Sequence, residues 1–167
     1  MSGYSFDMRI SGGVEWALHC CTVLTAADDP VPAVRLAELH DVSPTYLAKQ
    51  LQALSRAGLV HSVQGHAGGY VLTRAPGEIT VLEVVEAIDG ASPAFVCTEI
   101  RQRGPLAASS AACTAPCAIA RTMWAADDAW RASLRNVTIA DLATMVGDDY
   151  TTDALGAART WFSAAAR

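Results

Sequence analysis

This chain of 167 residues is poor in lysine, in aromatic residues and in positive charge, and it has no long apolar run. Lys49 is its only lysine, aromatic residues make up 7%, and the formal net charge is −5. The longest apolar stretch, around residues 14–27, contains Glu15 and His19 and is too short to cross a bilayer. The N-terminus has no charged region followed by an apolar run, so no secretion signal is indicated. We therefore expect a cytoplasmic protein without a membrane segment.

The acidic charge argues mildly against nucleic acid as a partner, because DNA-binding domains usually present a basic face. The distribution of charge along the chain matters more than the net charge. Lys49 is important for that reason, because it lies in a segment that we expect to face DNA. Apolar residues make up 51% of the chain, and alanine is prominent among them. This composition favours a helical protein with a true core.

The N-terminal half begins with the pattern of a helix-turn-helix. Apolar residues at helical spacing predict helices over residues 12–27 and about 34–40. Ser43 and Pro44 suit the N-cap and first turn of a third helix, which Gly58 ends. The apolar face of this third helix is expected to consist of Tyr46, Leu47, Leu51 and Leu54.

Two short β-prone segments follow, separated by a glycine-rich loop. Residues 59–63 and 69–73 predict a hairpin, which after a helix-turn-helix is a wing. Thr80 and Glu83 form a capping box that predicts a helix through Ile88.

The C-terminal half is expected to be helical after an irregular segment over residues 91–116. A long helix is predicted over about 117–136, with apolar side chains at near-heptad spacing that Asp127 interrupts. Thr138 begins a second capping box and a helix to about residue 146. A last amphipathic helix is expected over 153–165. The apolar stripe of the long helix consists of Ala120, Met123, Trp130, Leu134 and Val137.

The cysteines are Cys20, Cys21, Cys97, Cys113 and Cys117, an odd number in a compartment expected to be reducing. A disulfide framework is therefore a poor interpretation, and metal binding or redox chemistry is a better one. Cys20 and Cys21 are expected to be core residues. The chain lacks Cys-x-x-Cys and a glycine-rich nucleotide motif, so a thiol redox enzyme is a minor alternative and no enzymatic activity is predicted.

Three stretches together resemble one family of winged-helix regulators, which includes the iron–sulfur regulator IscR and the nitric oxide sensor NsrR. They are Val42-Ser-Pro-Thr-Tyr-Leu-Ala-Lys-Gln-Leu-Gln-Ala-Leu, Ala57-Gly-Leu-Val and Gly65-His-Ala-Gly-Gly-Tyr. Matches at Met8-Arg9-Ile10-Ser11 and Asn136-Val-Thr-Ile-Ala-Asp-Leu extend the resemblance over about residues 8–146. The resemblance implies a homodimer that binds double-stranded operator DNA. In many members, cysteines before the long helix hold an iron–sulfur cluster.

The segment Ser11-Gly-Gly-Val-Glu-Trp-Ala-Leu-His-Cys-Cys resembles redox-responsive members of this family, in which two Cys, one Glu and one His hold a 2Fe–2S cluster. This implies that Glu15 and His19, one helical turn apart, are ligands. On spacing alone such a pair is more often a solvated surface pair. Cys113 and Cys117 are the best thiolate pair, because they are close in sequence and a helix N-terminus favours a thiolate at Cys117.

Two further residues belong to this hypothesis. Cys97 is the reserve ligand and can equally be a packing residue. Trp16, beside Glu15, is a candidate switch whose rotamer would respond to the cluster charge, although core packing also explains a tryptophan there. Zinc is an alternative metal, since two Cys, one His and one Glu can hold it tetrahedrally.

The DNA-facing residues are expected at the start of the third helix and at the wing tip. They are Pro44, Thr45, Tyr46, Lys49 and Gln50 on the helix, and Gln64, Gly65 and His66 in the wing. Tyr46 can equally be a core residue. Arg9 and Arg35 can add phosphate contacts or be ordinary surface residues.

The expected fold class is mainly α with a small β-hairpin wing, a winged helix-turn-helix joined to a long dimerisation helix. We expect a DNA-binding domain over residues 1–90, a cluster-binding loop over 91–116, and dimerisation and C-terminal helices over 117–167.

Overall fold

The computed structural model of the chain describes residues 10–164. Within them lie seven α-helices and one two-stranded antiparallel sheet, which confirms the predicted, mainly helical fold with a small wing. The elements are α1 (Gly12–Leu24), α2 (Ala33–Leu39), α3 (Pro44–Arg56), β1 (Val60–Val63), β2 (Gly69–Leu72), α4 (Val81–Asp89), α5 (Ala118–Arg135), α6 (Ile139–Asp149) and α7 (Ala154–Ala164). Met8, Arg9 and the predicted helix end at residue 165 lie outside the described residues. No helix within 10–164 has the length and apolar character to cross a membrane.

The chain divides into two compact units. The smaller unit is Ala91–Ser133, and the larger is Ile10–Gly90 together with the chain from Leu134 onward. The larger unit contains the helix-turn-helix, the hairpin and most of the buried side chains, whereas the smaller contains an irregular segment and most of α5.

The core of the larger unit is built around α3. Leu47, Leu51 and Leu54 recur at helical spacing, and all three are fully buried. Ser43 caps the helix as predicted, because its hydroxyl oxygen accepts the backbone N–H of Tyr46 at 3.5 Å. Tyr46 does not join the buried face: its side chain is 37% exposed. It precedes the buried Leu47 and lies about 100° around the helix from it, at the edge of the leucine face.

The end of α1 differs from its prediction by three residues. The backbone N–H groups of Thr25, Ala26 and Ala27 bond to carbonyls three residues earlier, at 3.2, 3.1 and 3.3 Å. Bonds of this kind tighten the chain into turns and end the α-helix at Leu24.

The base of the wing is joined to the start of the helix-turn-helix. Strand β1 pairs with β2 in the register Val60 to Leu72. Val31, just before α2, exchanges two backbone hydrogen bonds with Tyr70 at 3.1 and 2.8 Å. A Cβ on Gly69 would lie 2.3 Å from the Val31 carbonyl carbon, so this approach requires glycine.

Both predicted capping boxes are present. The Thr80 hydroxyl accepts the Glu83 N–H at 3.2 Å, and the Glu83 carboxylate accepts the Thr80 N–H at 2.8 Å. Thr138 and Asp141 make the same pair of bonds at 3.1 and 2.8 Å. Thr80 and Thr138 also form an antiparallel bridge, so α4 and α6 begin side by side.

An arginine of α5 orders the start of the smaller unit. The Arg131 guanidinium donates to the carbonyls of Ala91 and Ser92 at 3.3 and 3.0 Å. It also pairs with Asp127 at 2.9 Å, and both side chains are largely buried. Asp127, which interrupts the apolar stripe in the sequence, is thus part of an ion pair within its own helix.

Candidate functional site

The first turns of α3 present most of the predicted DNA-facing side chains to solvent. Pro44, Thr45, Tyr46 and Lys49 are exposed, and Gln50 is half-buried. The N-terminal end of the second helix of a helix-turn-helix is the part that enters a major groove. The exposed end of α3 is therefore free to present these side chains to base edges.

The same end of α3 rests on the start of α1. A Cβ on Gly13 would lie 2.8 Å from Oε1 of Gln50, and one on Gly12 would lie 3.9 Å from the Tyr46 hydroxyl. The absence of a side chain at Gly13 allows the two helices this close approach. The predicted DNA-reading residues therefore contact the helix that carries Glu15 and His19.

The wing tip is exposed and sharply turned. Gln64, Gly65 and His66 are all exposed, and Gly65 has a φ of +114°, which only glycine adopts readily. The Gly68 N–H closes the turn on the Gly65 carbonyl at 3.0 Å. Gln64 and His66 thus stand at the far end of the hairpin, away from its fixed base.

Positive charge is scarce on this surface. Arg74 pairs with Glu83 at 2.8 Å, and Arg35 pairs with Glu38 at 2.6 Å. Lys49 is the exposed cation on the first turns of α3. DNA contacts through the predicted residues would therefore depend on few charges and on polar side chains.

Glu15 and His19 are both exposed on α1, as their spacing predicts. His19 lies against His40, with ring centroids 5.6 Å apart, and Trp16 lies against the same ring at 6.0 Å. His40 caps the C-terminal end of α2. An aromatic cluster of Trp16, His19 and His40 therefore joins the predicted ligand face to the turn between α2 and α3.

Sequence reasoning missed His40, whose only signal is its place in that turn. Burial, and then the neighbouring His19, lower the pKa of His40 from its ordinary value. Its Nε2 is buried and has no hydrogen-bond partner within residues 10–164. The ring is therefore held neutral at near-neutral pH.

Cys20 and Cys21 are fully buried in the core, which confirms their predicted role. Burial raises the pKa of each thiol to about 12, and for Cys20 the neighbouring Cys21 adds to the effect. Neither thiol is available as an exposed ligand.

The irregular segment contains the other three cysteines, all half-buried. The Glu99 N–H donates to the Cys97 sulfur at 3.5 Å, and the Glu99 carboxylate pairs with Nε of Arg101 at 2.8 Å. Arg101 also donates to the Ala115 carbonyl at 2.7 Å. One arginine thus links the two ends of the segment between Cys97 and Cys117.

Cys113 and Cys117 lie close enough to Arg101 to interact with it. The hydrogen bond from Arg101 to Glu99, and the charges of both thiolates, raise the pKa of Arg101. The backbone N–H groups of Ala120 and Ile119, together with Arg101, lower the pKa of Cys117. Sequence reasoning missed Arg101 and Glu99, and a charged pair beside Cys97 was the available signal. We call Cys97, Glu99, Arg101, Cys113 and Cys117 the cysteine loop.

The four predicted ligands do not form one group. Among the described residues, no three His, Cys, Asp or Glu side chains converge to hold a metal ion. Glu15 and His19 belong to the larger unit, whereas Cys113 and Cys117 belong to the smaller. The joint ligand set therefore stays a prediction.

Helix α5 carries apolar side chains that are not covered. Ile119 is 68% exposed, Trp124 39% and Trp130 37%. Exposed tryptophans on one helix mark an interaction surface more often than scattered single residues do.

The family model of Rrf2, described as an iron-dependent transcriptional regulator, matches residues 10–145. The IscR regulator of Xenorhabdus nematophila is 39% identical over 92 residues, which cover 54% of this chain and 56% of that protein. The match thus spans little more than half the length of the curated IscR relatives. YwgB of Bacillus subtilis, described as a putative HTH-type transcriptional regulator, is 28% identical over 86% of this chain and 89% of its own.

Solved structures show the same fold. CymR of B. subtilis, titled the global cysteine regulator, superposes with a TM-score of 0.66 at 26% identity, over 83% of this chain and 98% of its own. IscR of T. potens superposes with a TM-score of 0.64 at 21% identity, over 87% and 93% of the two chains. These relatives are regulators and not enzymes, which sets aside the alternative of a thiol redox enzyme.

Proposed function

Because the chain belongs to the Rrf2 family of DNA-binding transcriptional regulators, we propose that it binds its operator as a homodimer and that a 2Fe–2S cluster sets its operator affinity. The observation that carries the proposal is the cysteine loop, in which Arg101 bonds to Glu99 and to the Ala115 carbonyl, and in which backbone N–H groups and Arg101 lower the pKa of Cys117. The sign of regulation is open to either repression or activation.

The exposed end of α3 and the wing tip support operator binding. Thr45, Lys49 and Gln50 offer donors to base edges and phosphates, and His66 and Gln64 extend toward the neighbouring groove. Glutamine at the wing tip carries no charge, so it depends on hydrogen bonds rather than on the potential of a narrow minor groove.

The uncovered side chains of α5 support the homodimer. Ile119 and Trp130 lie on the same side of α5 and present apolar surface that a second copy of the same helix can bury. Sedimentation of Trp130→Ala beside the unchanged protein tests this step. A dimer that is equally stable in both would move the interface away from Trp130.

The donor chemistry fits a 2Fe–2S cluster. Thiolates are the usual ligands of such iron, and imidazole is a known substitute on one of the two irons. Cys113 and Cys117 would supply the thiolates, with Cys97 in reserve, and Glu15 and His19 would supply the second pair of donors. When bound, the cluster would provide one-electron redox chemistry. If the two pairs come from different copies of the chain, the dimer completes the site.

Trp16 and His40 offer a connection from the ligand face to the DNA-binding helices. His19 contacts His40, and His40 precedes the turn into α3. A change in the charge of a cluster held by Glu15 and His19 would favour a different rotamer of Trp16, and this would pass to the DNA-binding helices through that turn. If Trp16→Phe leaves the redox dependence of operator binding unchanged, Trp16 is not the switch.

Anaerobic purification of the full chain tests the cluster. We expect a coloured protein with iron and acid-labile sulfide in equal amounts, and the loss of both in Cys117→Ser. The pair Cys97→Ser and Cys113→Ser identifies the second thiolate, and Cys20→Ala is the control that keeps the cluster. A colourless protein that contains zinc would support the zinc alternative instead.

A metal-free thiol regulator is the second candidate, favoured by the electrostatic interaction of both Cys113 and Cys117 with Arg101. One structural relative, CymR, is described as a cysteine regulator. In that case the protein would contain no metal, and alkylation of these thiols alone would change DNA affinity.

A further inference from the structure

Helix α7 lies outside the part of the chain that the family model matches, which ends at residue 145. Helix α7 nevertheless packs on the core of the larger unit. Ala158 is buried, and Phe162 packs against the main core. Arg159 donates to the Ala26 carbonyl at 2.9 Å. Helix α7 therefore adds a layer over the ends of α1 and α2.

Arg35 is the main contact between α7 and the helix-turn-helix. Its guanidinium carbon lies 3.4 Å from the centroid of the Trp161 ring, and Nη2 donates to the Trp161 carbonyl at 3.1 Å. Nη1 pairs with Glu38. The Nε of Arg35 is buried without a hydrogen-bond partner among the described residues. The arginine is thus drawn into α7, at the cost of one unsatisfied donor.

The position of Arg35 would suit a different partner. It lies in the first turn of α2, and the first helix of a helix-turn-helix crosses the DNA backbone. Besides Arg35, residues 10–90 contain three Lys or Arg side chains, which are Lys49, Arg56 and Arg74. Arg74 is already paired with Glu83, which leaves Lys49 and Arg56 as the other cations that could contact phosphates. One more phosphate contact would therefore be a large addition to this acidic chain.

We propose that α7 is an autoinhibitory strap that holds Arg35 on Trp161 and away from the DNA backbone. Release of α7 turns Arg35 into a phosphate ligand and raises the affinity for DNA of any sequence. The inference rests on DNA binding through α2 and α3, and it does not depend on the metal.

Trp161→Ala is the direct test, with a labelled mixed-sequence duplex of several helical turns as the probe. The affinity is measured by fluorescence anisotropy across a series of salt concentrations, with metal content matched between variants. We expect severalfold tighter binding at low salt and a slope of log K against log salt that is steeper by about 0.9 for each subunit whose Arg35 contacts a phosphate, which is about 1.8 for a homodimer. Thr160→Ala, an exposed neighbour on α7, should match the unchanged protein.

Arg35→Gln tells whether the effect of Trp161→Ala comes from the release of Arg35 or from a less stable protein. Alone it should leave the salt slope unchanged, because Arg35 does not reach DNA while α7 is docked. Combined with Trp161→Ala it should return the slope to that of the unchanged protein, and Trp161→Phe, which keeps an aromatic ring, should stay close to it as well.

Three results would overturn the strap. One is an unchanged slope in Trp161→Ala, and another is a flatter slope in Arg35→Gln alone, which would place Arg35 on DNA already. The third is a steeper slope that persists in the double variant. If Trp161→Ala does not fold, Arg35→Gln alone still decides between masking and direct contact. No binding by any variant at low salt would contradict DNA binding itself.

Discussion

Each of the two units of the chain is stabilised internally by a different kind of interaction. In the larger unit, leucines and valines at helical spacing fill a core. Among residues 91–133 of the smaller unit, Ala120 is the one apolar residue that is fully buried. Hydrogen bonds from Arg101 and Arg131 to backbone carbonyls order this part of the chain. The larger unit therefore draws its stability from buried apolar area, whereas the smaller depends more on a few directed hydrogen bonds and ion pairs.

Thiol reactivity should show the largest difference between the units. Burial raises the pKa of Cys20 and Cys21 to about 12, so at pH 8 each has roughly a thousandfold less thiolate than an ordinary cysteine. In metal-free protein, iodoacetamide should modify Cys97, Cys113 and Cys117 first, as followed by mass spectrometry of the peptides. In urea all five should react alike. Equal rates in the folded protein would mean that the core is open.

Core truncation should be the next largest effect. Leu51→Ala removes a fully buried side chain, and we expect a loss of about 2–5 kcal/mol in the free energy of unfolding. Leu106→Ala in the smaller unit is the control, because that side chain is 96% exposed, and it should change stability by less than about 0.5 kcal/mol. Urea unfolding measures both. Similar losses would erase the contrast between the units.

Loss of a capping box should cost less. Thr80→Ala removes the bond to the Glu83 N–H, and we expect about 1 kcal/mol of destabilisation at neutral pH. Thr144→Ala, in the middle of α6, is the matched control and should cost less than the cap.

The effect of the cap should depend on pH. Burial opposes the charge of Glu83, but bonds from Thr80 and Arg74 outweigh it and lower the pKa below the ordinary 4.5. A lowered folded pKa stabilises the fold above pH 4.5, and this contribution is lost as the pH falls through the folded pKa. The difference between Thr80→Ala and the unchanged protein should therefore shrink in that acid range. A constant difference would exclude a role for the Glu83 charge.

The smallest global effect should come from Arg101→Gln. Its ion pair with Glu99 is screened by solvent, so we expect only a small change in the free energy of unfolding. Hydrogen exchange between residues 97 and 117 should nevertheless become faster, because Arg101 bonds to the Ala115 carbonyl. Arg103→Gln, an exposed arginine two residues later, should leave that exchange unchanged.

The same contrast explains what the sequence could predict. Periodicity and caps act over one or two turns, so α3, the hairpin and both capping boxes were predictable from Ser43, Gly58, Thr80 and Thr138. The cysteine loop has no period, and its order comes from Arg101 reaching Ala115 across 14 residues. No local pattern contains such a contact.

Two residues show the same limit in the larger unit. Arg35 was a candidate phosphate ligand from its place on α2, but its partner Trp161 lies 126 residues away. Tyr46 was assigned to the apolar face of α3, yet it lies about 100° around the helix from the buried Leu47, at the edge of that face. Glu15 and His19 lie one turn apart on α1 and are both exposed. Whether they bind a metal stays a prediction, which the iron and sulfide analysis tests.

The bond between Val31 and Tyr70 has a consequence for how such a regulator can change its target. Because two backbone hydrogen bonds join the hairpin base to the residue just before α2, a tilt of the wing relative to α2 would have to break them. Substitutions at Gln64 or His66 would then alter the exposed tip of the wing and leave its base in place. Such substitutions would change what the wing tip can contact and would leave the junction between the wing and α2 unchanged.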